Sequence, residues 1–498
     1  TKSNITMNED LKKYLNENLQ KGIHFLELNR NIEAKECFQN ILKHKFNHAN
    51  TLNLLGITFV KLKKFDESIV NFELAIKYDK YQEGFYVNLG NTYEELNNFK
   101  KAFEAYQKGL DINTNSSILF NQIGLLFFNQ SKYNKAISYF NKSLEIDPNN
   151  KFTINNMGLV EFQLSNFNNA INYFEKSISL DSKFSIAQFN LAIVFLLQNN
   201  FLSGWEKYEY RTFKNKYPEI KQNKIEWDGS DLTNKVLLII CEQGIGDNIQ
   251  FVRYISFIKK NNTKLILLVR KNFKTFFKNL KFVDLIVDKT EDLPNFDKFI
   301  FLMSLPNIFK NINYPPKSIN FLNKKNDLNI KWKKIFKKYD HYKLKVGLAW
   351  QGDHINNKND TERSILLKKF EPILKLKKIK FFSLQKNFGK EQINLNNFNS
   401  LIINFYNNID KEPFEDTISI IENLDLVISV DTAVAHLSAT VGKKTWIIIP
   451  KVPDFRWGLS KSTTMWYKNV SLYRQKEIQN WETVVFDVAN DLNLLLGE

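Results

Sequence analysis

Asp431-Thr432, followed by Ala433-Val-Ala-His436, has the residue types and spacing for chemistry on a phosphate. Leu426 to Val430 is a β-branched run and Ala433 to Thr440 is small, apolar and helix-compatible, so the polar pair falls at a strand-to-helix corner. The first amides of a helix lack intrahelical acceptors and the helix dipole adds about half a positive charge there, so a diphosphate at the tip satisfies both. His436, four residues after Thr432, lies one turn in on nearly the same face. Asp and Thr are also ordinary N-caps, and a histidine on an apolar helix is often core. This stretch alone supports either reading.

Three further stretches carry polar groups at comparable places. Val236 to Ile240 runs into Glu242-Gln-Gly244-Ile-Gly246-Asp247, a tight glycine turn that brings backbone close to a ligand and sets a carboxylate at a helix start. It is not a dinucleotide fingerprint, because Ile249 stands at the third glycine position and Arg270 where an acid belongs; nor is it a P-loop, lacking Gly-Lys-Ser/Thr. Simple N-capping by Asp247 is the competing reading. Val346 to Trp350 leads to Gly352-Asp353-His354 and on to Arg363, which suits a bidentate phosphate clamp or a solvated loop. Gln385 follows the apolar Phe381-Phe-Ser-Leu, where an amide reads a nucleobase edge. Pro453-Asp454-Phe-Arg456-Trp457 and Met465-Trp466-Tyr467 supply rings that stack a base or sugar, or pack their own loop.

The elements that must position these residues alternate short apolar strands with helical stretches: Val236–Ile240, Leu265–Val269, Asp284–Val287 and Phe299–Leu302, then Val346–Trp350, Lys380–Ser383, Leu401–Asn404, Leu426–Val430 and Trp446–Ile449. Such alternation predicts two parallel-sheet, Rossmann-like domains, residues 235–342 and 343–498, the second with a C-terminal helix and the ligand at the carboxyl ends of the strands. A basic, low-signal stretch from Asn311 to Tyr342 separates the two groups. Residues 212–234 form a connector whose Trp227 is too large to leave wet.

Residues 1–211 repeat. Gly22, Gly56, Gly90, Gly124, Gly158 and Ala192 are 34 residues apart; twelve residues after each stands a small residue (Ala34, Ser68, Ala102, Ala136, Ala170, Gly204) and sixteen after each an aromatic (Phe38, Phe72, Tyr106, Phe140, Phe174, Tyr208). Close crossing of two helices with a ring filling the gap explains all three registers over about six units. With Asn88-Leu-Gly90-Asn-Thr-Tyr93, Ala102-Phe-Glu-Ala-Tyr106 and Ser143-Leu-Glu-Ile-Asp-Pro148, this resembles the tetratricopeptide repeat. The resemblance implies an α-solenoid whose concave groove takes a peptide or protein; spacing or dimerising the rest of the chain is the alternative.

The chain has 498 residues, 43% hydrophobic and 14% aromatic, enough for several cores. No run approaches the roughly 18 apolar residues of a membrane span and no secretory leader is visible, so a cytoplasmic protein is expected. Cys37 and Cys241 are the only cysteines, which argues against a disulfide framework or a cysteine metal site. Of the net charge of +17, residues 235–340 carry +12, with 21 Lys and Arg against 9 Asp and Glu. These lysines are scattered without a nucleic-acid signature, so no nucleic-acid partner is expected; peripheral contact of this region with an acidic partner or an anionic membrane stays open, as does homo-oligomerisation.

Gly244-Ile-Gly246-Asp247, Phe381-Phe-Ser-Leu-Gln385, Asp431-Thr-Ala-Val-Ala-His436 and Pro453-Asp454-Phe-Arg456-Trp457, in this order behind the repeats, resemble bacterial repeat-containing glycosyltransferases of the GT-B fold. Their catalytic region is similar to the heptosyltransferase-like (glycosyltransferase family 9-like) enzymes, and the layout parallels protein O-GlcNAc transferases. The resemblance implies an α-solenoid followed by an α/β GT-B region, and metal-independent, inverting transfer of a hexosyl or heptosyl group from a nucleotide-diphosphate sugar, with no cofactor. The acceptor would be a protein recruited by the repeat groove. Asp247 takes the place of the catalytic base, with Glu242 in reserve. Gly244, Gly246, Gly352, Arg363, Gln385, Asp431, Thr432, Ala433, His436 and Trp457 bind the donor. Ala433 stands where heptosyltransferases carry glycine. A non-catalytic scaffold with a vestigial GT-B region, or a lipopolysaccharide or lipid-linked glycan transferase, are the alternatives.

Overall fold

The structure, a computed structural model, describes residues 9–497 apart from 216, 259–261, 313–314, 323–325, 353–359 and 406–412. The chain divides into two compact units, residues 1–187 and 188–498.

In the first unit five antiparallel hairpins follow one another: Glu9–Glu27 with Asn31–His44, Ala49–Lys61 with Phe65–Tyr78, Glu83–Glu95 with Phe99–Ile112, Ser117–Asn129 with Tyr133–Ile146, and Lys151–Gln163 with Phe167–Leu180. The glycine and aromatic registers meet as their spacing requires: a Cβ added to Gly22, Gly56, Gly90, Gly124 or Gly158 would fall within 3.0 Å of Phe38, Phe72, Tyr106, Phe140 or Phe174 respectively. Each ring is fully buried, and so are Ala34, Ser68, Ala102, Ala136 and Ala170. A fourth register was not legible in the sequence. Asn29, Lys63, Asn97, Ser131 and Ser165, again 34 apart, all take a left-handed conformation with φ between 56° and 68°. Each ends its helix in a Schellman turn, the following amide reaching back to a carbonyl five residues earlier, as Asn98 N to Tyr93 O at 2.8 Å.

One more pair follows, Ser185–Leu197, whose first residues close the first unit, and Phe201–Tyr208, joined through Asn199 at φ 63°. Two all-parallel sheets follow. The first contains β1 (Ile225–Glu226), β2 (Val236–Ile240), β3 (Lys264–Leu268), β4 (Leu285–Val287) and β5 (Lys298–Phe301) in the order β1-β5-β2-β3-β4. The second contains β6 (Leu344–Ala349), β7 (Ile379–Ser383), β8 (Ile402–Ile403), β9 (Leu426–Val430), β10 (Thr445–Ile449) and β11 (Val470–Arg474) in the order β11-β10-β9-β6-β7-β8. The central strands are buried on both faces, which is why they read as unbroken apolar runs instead of alternating.

Two strands escaped the sequence reading. β1 lies inside the 212–234 connector and pairs with β5, and β11 pairs with β10. The helix Asn326–Phe336, in the basic stretch, packs on the second sheet: Trp332 meets Phe405 at 4.8 Å and Phe336 meets Phe382 at 4.6 Å between ring centroids. The C-terminal helix Glu482–Leu496 buries Val484, Val485, Val488 and Leu492 in the core of that sheet. Among the described residues no helix is long and apolar enough to cross a membrane.

Strand order decides where a ligand fits. In the first sheet the chain moves outward through β2, β3 and β4 and then returns to the other side of β2; in the second it moves outward through β6, β7 and β8 and returns to the other side of β6. The switch points therefore lie between β2 and β5 and between β6 and β9, and loops leaving the carboxyl ends there splay apart into a crevice. The turn after β2, Glu242–Gly244, leads into the helix Ile245–Phe251, whose first turn carries Asp247, and the loop after β9 is Asp431–Thr432.

Candidate functional site

These two loops face each other. A Cβ on Gly246 would stand 2.9 Å from His436 Cδ2 and 3.7 Å from the amide nitrogen of Ala433, so glycine is required by close approach of the two turns, not by its own backbone angles. Beside this contact lies a cleft of about 640 Å3, lined by Gly244, Gly246, Asp247, Gly352, Arg363, Gln385, Asp431, Thr432, Ala433 and His436. Four cations, Arg270, Arg363, Lys386 and Arg456, line it against the carboxylates of Asp247 and Asp431. This balance suits an anionic ligand.

On the second-sheet side, β9 delivers Asp431 and the helix Ala433–Val441 begins at once. Thr432 is its N-cap residue, yet its side chain makes no cap bond; the hydroxyl meets that of Ser429 at 3.1 Å. First-turn amides thus lack the side-chain acceptor an N-cap threonine ordinarily supplies. Asp431 is buried, 3.5 Å from Arg363 Nη1 and 3.8 Å from His436 Nε2. His436 contacts the Tyr467 hydroxyl at 3.0 Å through Nδ1, and burial, reinforced by Arg456, Arg253 and Arg363, holds its pKa well below the usual histidine value. It is a neutral imidazole at pH 7. Lys386 is also mostly buried, which brings its pKa down to about 8.

On the first-sheet side, Asp247 is both an N-capping group and part of the cleft: its Oδ2 accepts from Gly244 N at 2.9 Å, and its Oδ1 pairs with Arg456 Nη2. Burial raises its pKa above the usual aspartate value, with Arg456 and the Gly244 amide opposing. Burial thus outweighs the ion pair and the amide bond that would otherwise make this carboxylate a poorer base. Arg456 also binds Gln250 Oε1 at 2.8 Å and Asp454 Oδ1 at 2.5 Å, bridging the two sheets' loops.

Three expectations are corrected. Glu242, the reserve base, does not reach the cleft: its side chain is fully buried and gripped by Arg211, with Nη2 to Oε1 at 2.6 Å, and accepts from Met303 N at 3.2 Å. Gln385 has no amide edge left for a nucleobase. Its Oε1 accepts from Trp350 N and Gln351 N, both at 3.0 Å, and its Nε2 donates to Gln351 O at 2.8 Å and Phe388 O at 2.7 Å. It pins the loops after β6 and β7 together. Trp457 is buried and stacks on His436 at 5.4 Å, backing the histidine instead of meeting a ligand. Asp353 and His354 lie outside the described residues.

Sequence reasoning assigned no role to Lys386 or Arg270 and treated Arg456 only as part of an aromatic loop. A signal was present for Arg456: a cation next to Asp454, in a loop following a buried strand, has the chemistry to cross a cleft. Lys386 adjoins Gln385 and shares its place at a strand end.

The helical hairpins of the N-terminal half form tetratricopeptide repeats, and an α/β region with two parallel sheets follows them. Models described as tetratricopeptide repeat match residues 49–82, 84–116, 117–150 and 153–184. Protein FlbA of Caulobacter vibrioides is 24% identical over 320 residues, covering 58% of this chain and 52% of that protein; the chain spans about half the length of this curated relative. Similar solved structures include a thermophilic tetratricopeptide-repeat protein of Thermus thermophilus, at 16% identity over 36% of this chain and 99% of that one with a TM-score of 0.33. YrrB, described as a tetratricopeptide-repeat protein with an unusual peptide-binding site, shares 20% identity over 36% of this chain and 95% of its own, with a TM-score of 0.27.

Proposed function

We propose that this chain is a GT-B glycosyltransferase that moves a sugar from a nucleotide-diphosphate donor to a protein acceptor recruited by the repeats. One observation carries the reading: two strand-end turns at the switch points of facing parallel sheets converge on one cleft, Asp247 on one and a helix tip without a side-chain cap on the other. The donor diphosphate sits against Thr432, Ala433 and Val434, with Arg363 and Lys386 beside it. Asp247 accepts the proton of the acceptor hydroxyl as its oxygen bonds to the anomeric carbon. The bond from that carbon to the phosphate oxygen breaks on the opposite face, and the nucleoside diphosphate leaves with the electron pair. A single in-line displacement inverts the anomeric centre. Leaving-group charge is met by helix amides and cations already in place.

Tetratricopeptide repeats commonly bind peptides or proteins, which supports a polypeptide acceptor over a lipid-linked one. The Arg456 contact on Asp247 favours a second reading, a nucleotide-binding scaffold in which this carboxylate is permanently ion-paired. Screening nucleotide sugars for hydrolysis and for a raised melting temperature separates the two, since a ligand of the native state stabilises it by mass action. Stabilisation with hydrolysis supports the enzyme, and stabilisation alone supports the scaffold. A flat response to every nucleotide diphosphate would overturn both.

A further inference from the structure

Ahead of the first sheet runs Trp205-Glu-Lys-Tyr-Glu-Tyr-Arg211, where the repeat pattern decays. Its Tyr208 still fills the sixth aromatic place of the repeat register, meeting Phe189 at 5.3 Å, and the segment takes no part in the proposed transfer. Yet its polar groups end on the two residues before Gly244. Gln243 takes a left-handed conformation, φ 62°, which is disfavoured for a residue other than glycine. Its Nε2 donates to the Tyr208 hydroxyl at 2.7 Å. Arg211 grips Glu242 with Nε at 3.2 Å from both carboxylate oxygens and Nη2 at 2.6 Å from Oε1, and also donates to Ser304 Oγ at 2.7 Å. Glu242 follows β2 and Ser304 follows β5, the two strands that flank the switch point. Tyr208, Arg211 and Glu242 are all buried.

The same segment reaches the other side of Asp247. Trp205 stands edge-on to Phe455 at 5.6 Å and Tyr208 meets Phe455 at 6.0 Å, and the next residue, Arg456, is the cation paired with Asp247. We infer that Trp205–Arg211 is a positioning element for Asp247, with Tyr208 and Arg211 setting the Gly244–Asp247 turn and Trp205 setting its counter-charge. As positioning of a catalytic base this rests on the glycosyltransferase reading; as control of the turn it does not.

The test uses full-length protein carrying Tyr208→Phe, which removes one hydroxyl, and Arg211→Met, which leaves Glu242 buried and unpaired and risks the fold. Amide hydrogen exchange over residues 243–248 is expected to rise about tenfold or more in Tyr208→Phe while exchange in β9 and the melting temperature hold. Adding Gln243→Gly, which takes positive φ freely, should return exchange toward the parent value. With an active donor, kcat should fall about tenfold at a donor KM within about twofold, and the same glycine should restore it. Unchanged exchange over 243–248 in Tyr208→Phe and in any folded Arg211→Met would overturn the inference. Faster exchange in a chain whose parent turns over no nucleotide sugar would uphold it and remove glycosyl transfer instead.

Discussion

The turn after β2 and the turn after β9 hold the same place in their sheets and differ in what completes them. The first is finished by protein: Asp247 caps Gly244 and pairs with Arg456, Gln243 is held by Tyr208, and Glu242 by Arg211. The second is left short, its N-cap threonine bonded sideways to Ser429 and its first-turn amides without a side-chain acceptor. A completed turn holds a group in one orientation, as a reacting side chain needs; an uncompleted helix tip is where an anion replaces the missing acceptor. Under the proposed glycosyltransferase reading, that difference puts chemistry on the β2 side and donor binding on the β9 side.

The sharpest way to break that division is Asp247→Asn, which keeps shape and removes the base. Turnover should fall by about 10²–10⁴-fold, the usual contribution of general base catalysis, while a nucleoside diphosphate binds as before by calorimetry. Loss of binding together with turnover would put the donor on the β2 side and end the division. Next in size, Arg363→Ala removes a charge-assisted contact worth roughly 1.5–3 kcal/mol, so diphosphate affinity should drop by about 10 to 150-fold. Arg363 also neighbours Asp431, so part of that loss reports a buried carboxylate left with less compensation. Arg363→Lys, which keeps the charge without the fork, should recover only part of the affinity. Equal affinity in parent and alanine variant would reject the clamp.

How much of this was legible depended on whether a residue's role is local. Gly90 and Tyr106 announce their contact because a 34-residue period forces the same pair to recur, and the close approach follows from size alone. Asp431-Thr432 marks a strand-to-helix corner for the same local reason. The left-handed series through Lys63 and Ser131 stayed hidden because asparagine, lysine and serine share no composition signal; geometry, not residue type, repeats there. Gln385, Glu242 and Trp457 were misread for one cause. Each stands at a strand end or in a cleft-side loop, where position suggests ligand contact, but partners far along the chain consume its polar atoms or its ring face. Spacing finds the corner, and only packing tells which side chains it leaves unspent.

Smaller effects sharpen the comparison through pH. Burial brings Lys386 down to about 8, so its charge is lost as pH rises through that value. If it neutralises the diphosphate, affinity should weaken severalfold between about pH 7 and 9, and Lys386→Arg, whose charge persists, should flatten the profile. A Lys386→Arg profile as steep as the parent's would assign the slope to another group.

The smallest effect concerns the support of the β9 turn itself. His436 is packed between Trp457 and Tyr467 and held neutral, its folded pKa below the unfolded value near 6.5. Below 6.5 the unfolded chain binds a proton that the native chain refuses, so stability from this residue is full above 6.5 and lost as pH falls toward the folded pKa. One such group changes unfolding free energy by at most about 1.4 kcal/mol per pH unit. Denaturant unfolding of the parent and of His436→Asn between about pH 7 and 5 isolates it, because the difference cancels every other titration, including that of His48, which burial also depresses. The parent should lose more stability on acidification than the variant. Equal slopes would mean that His436 charges freely in the native state, and a cation would then stand beside Ala433 where a neutral ring now backs the tip.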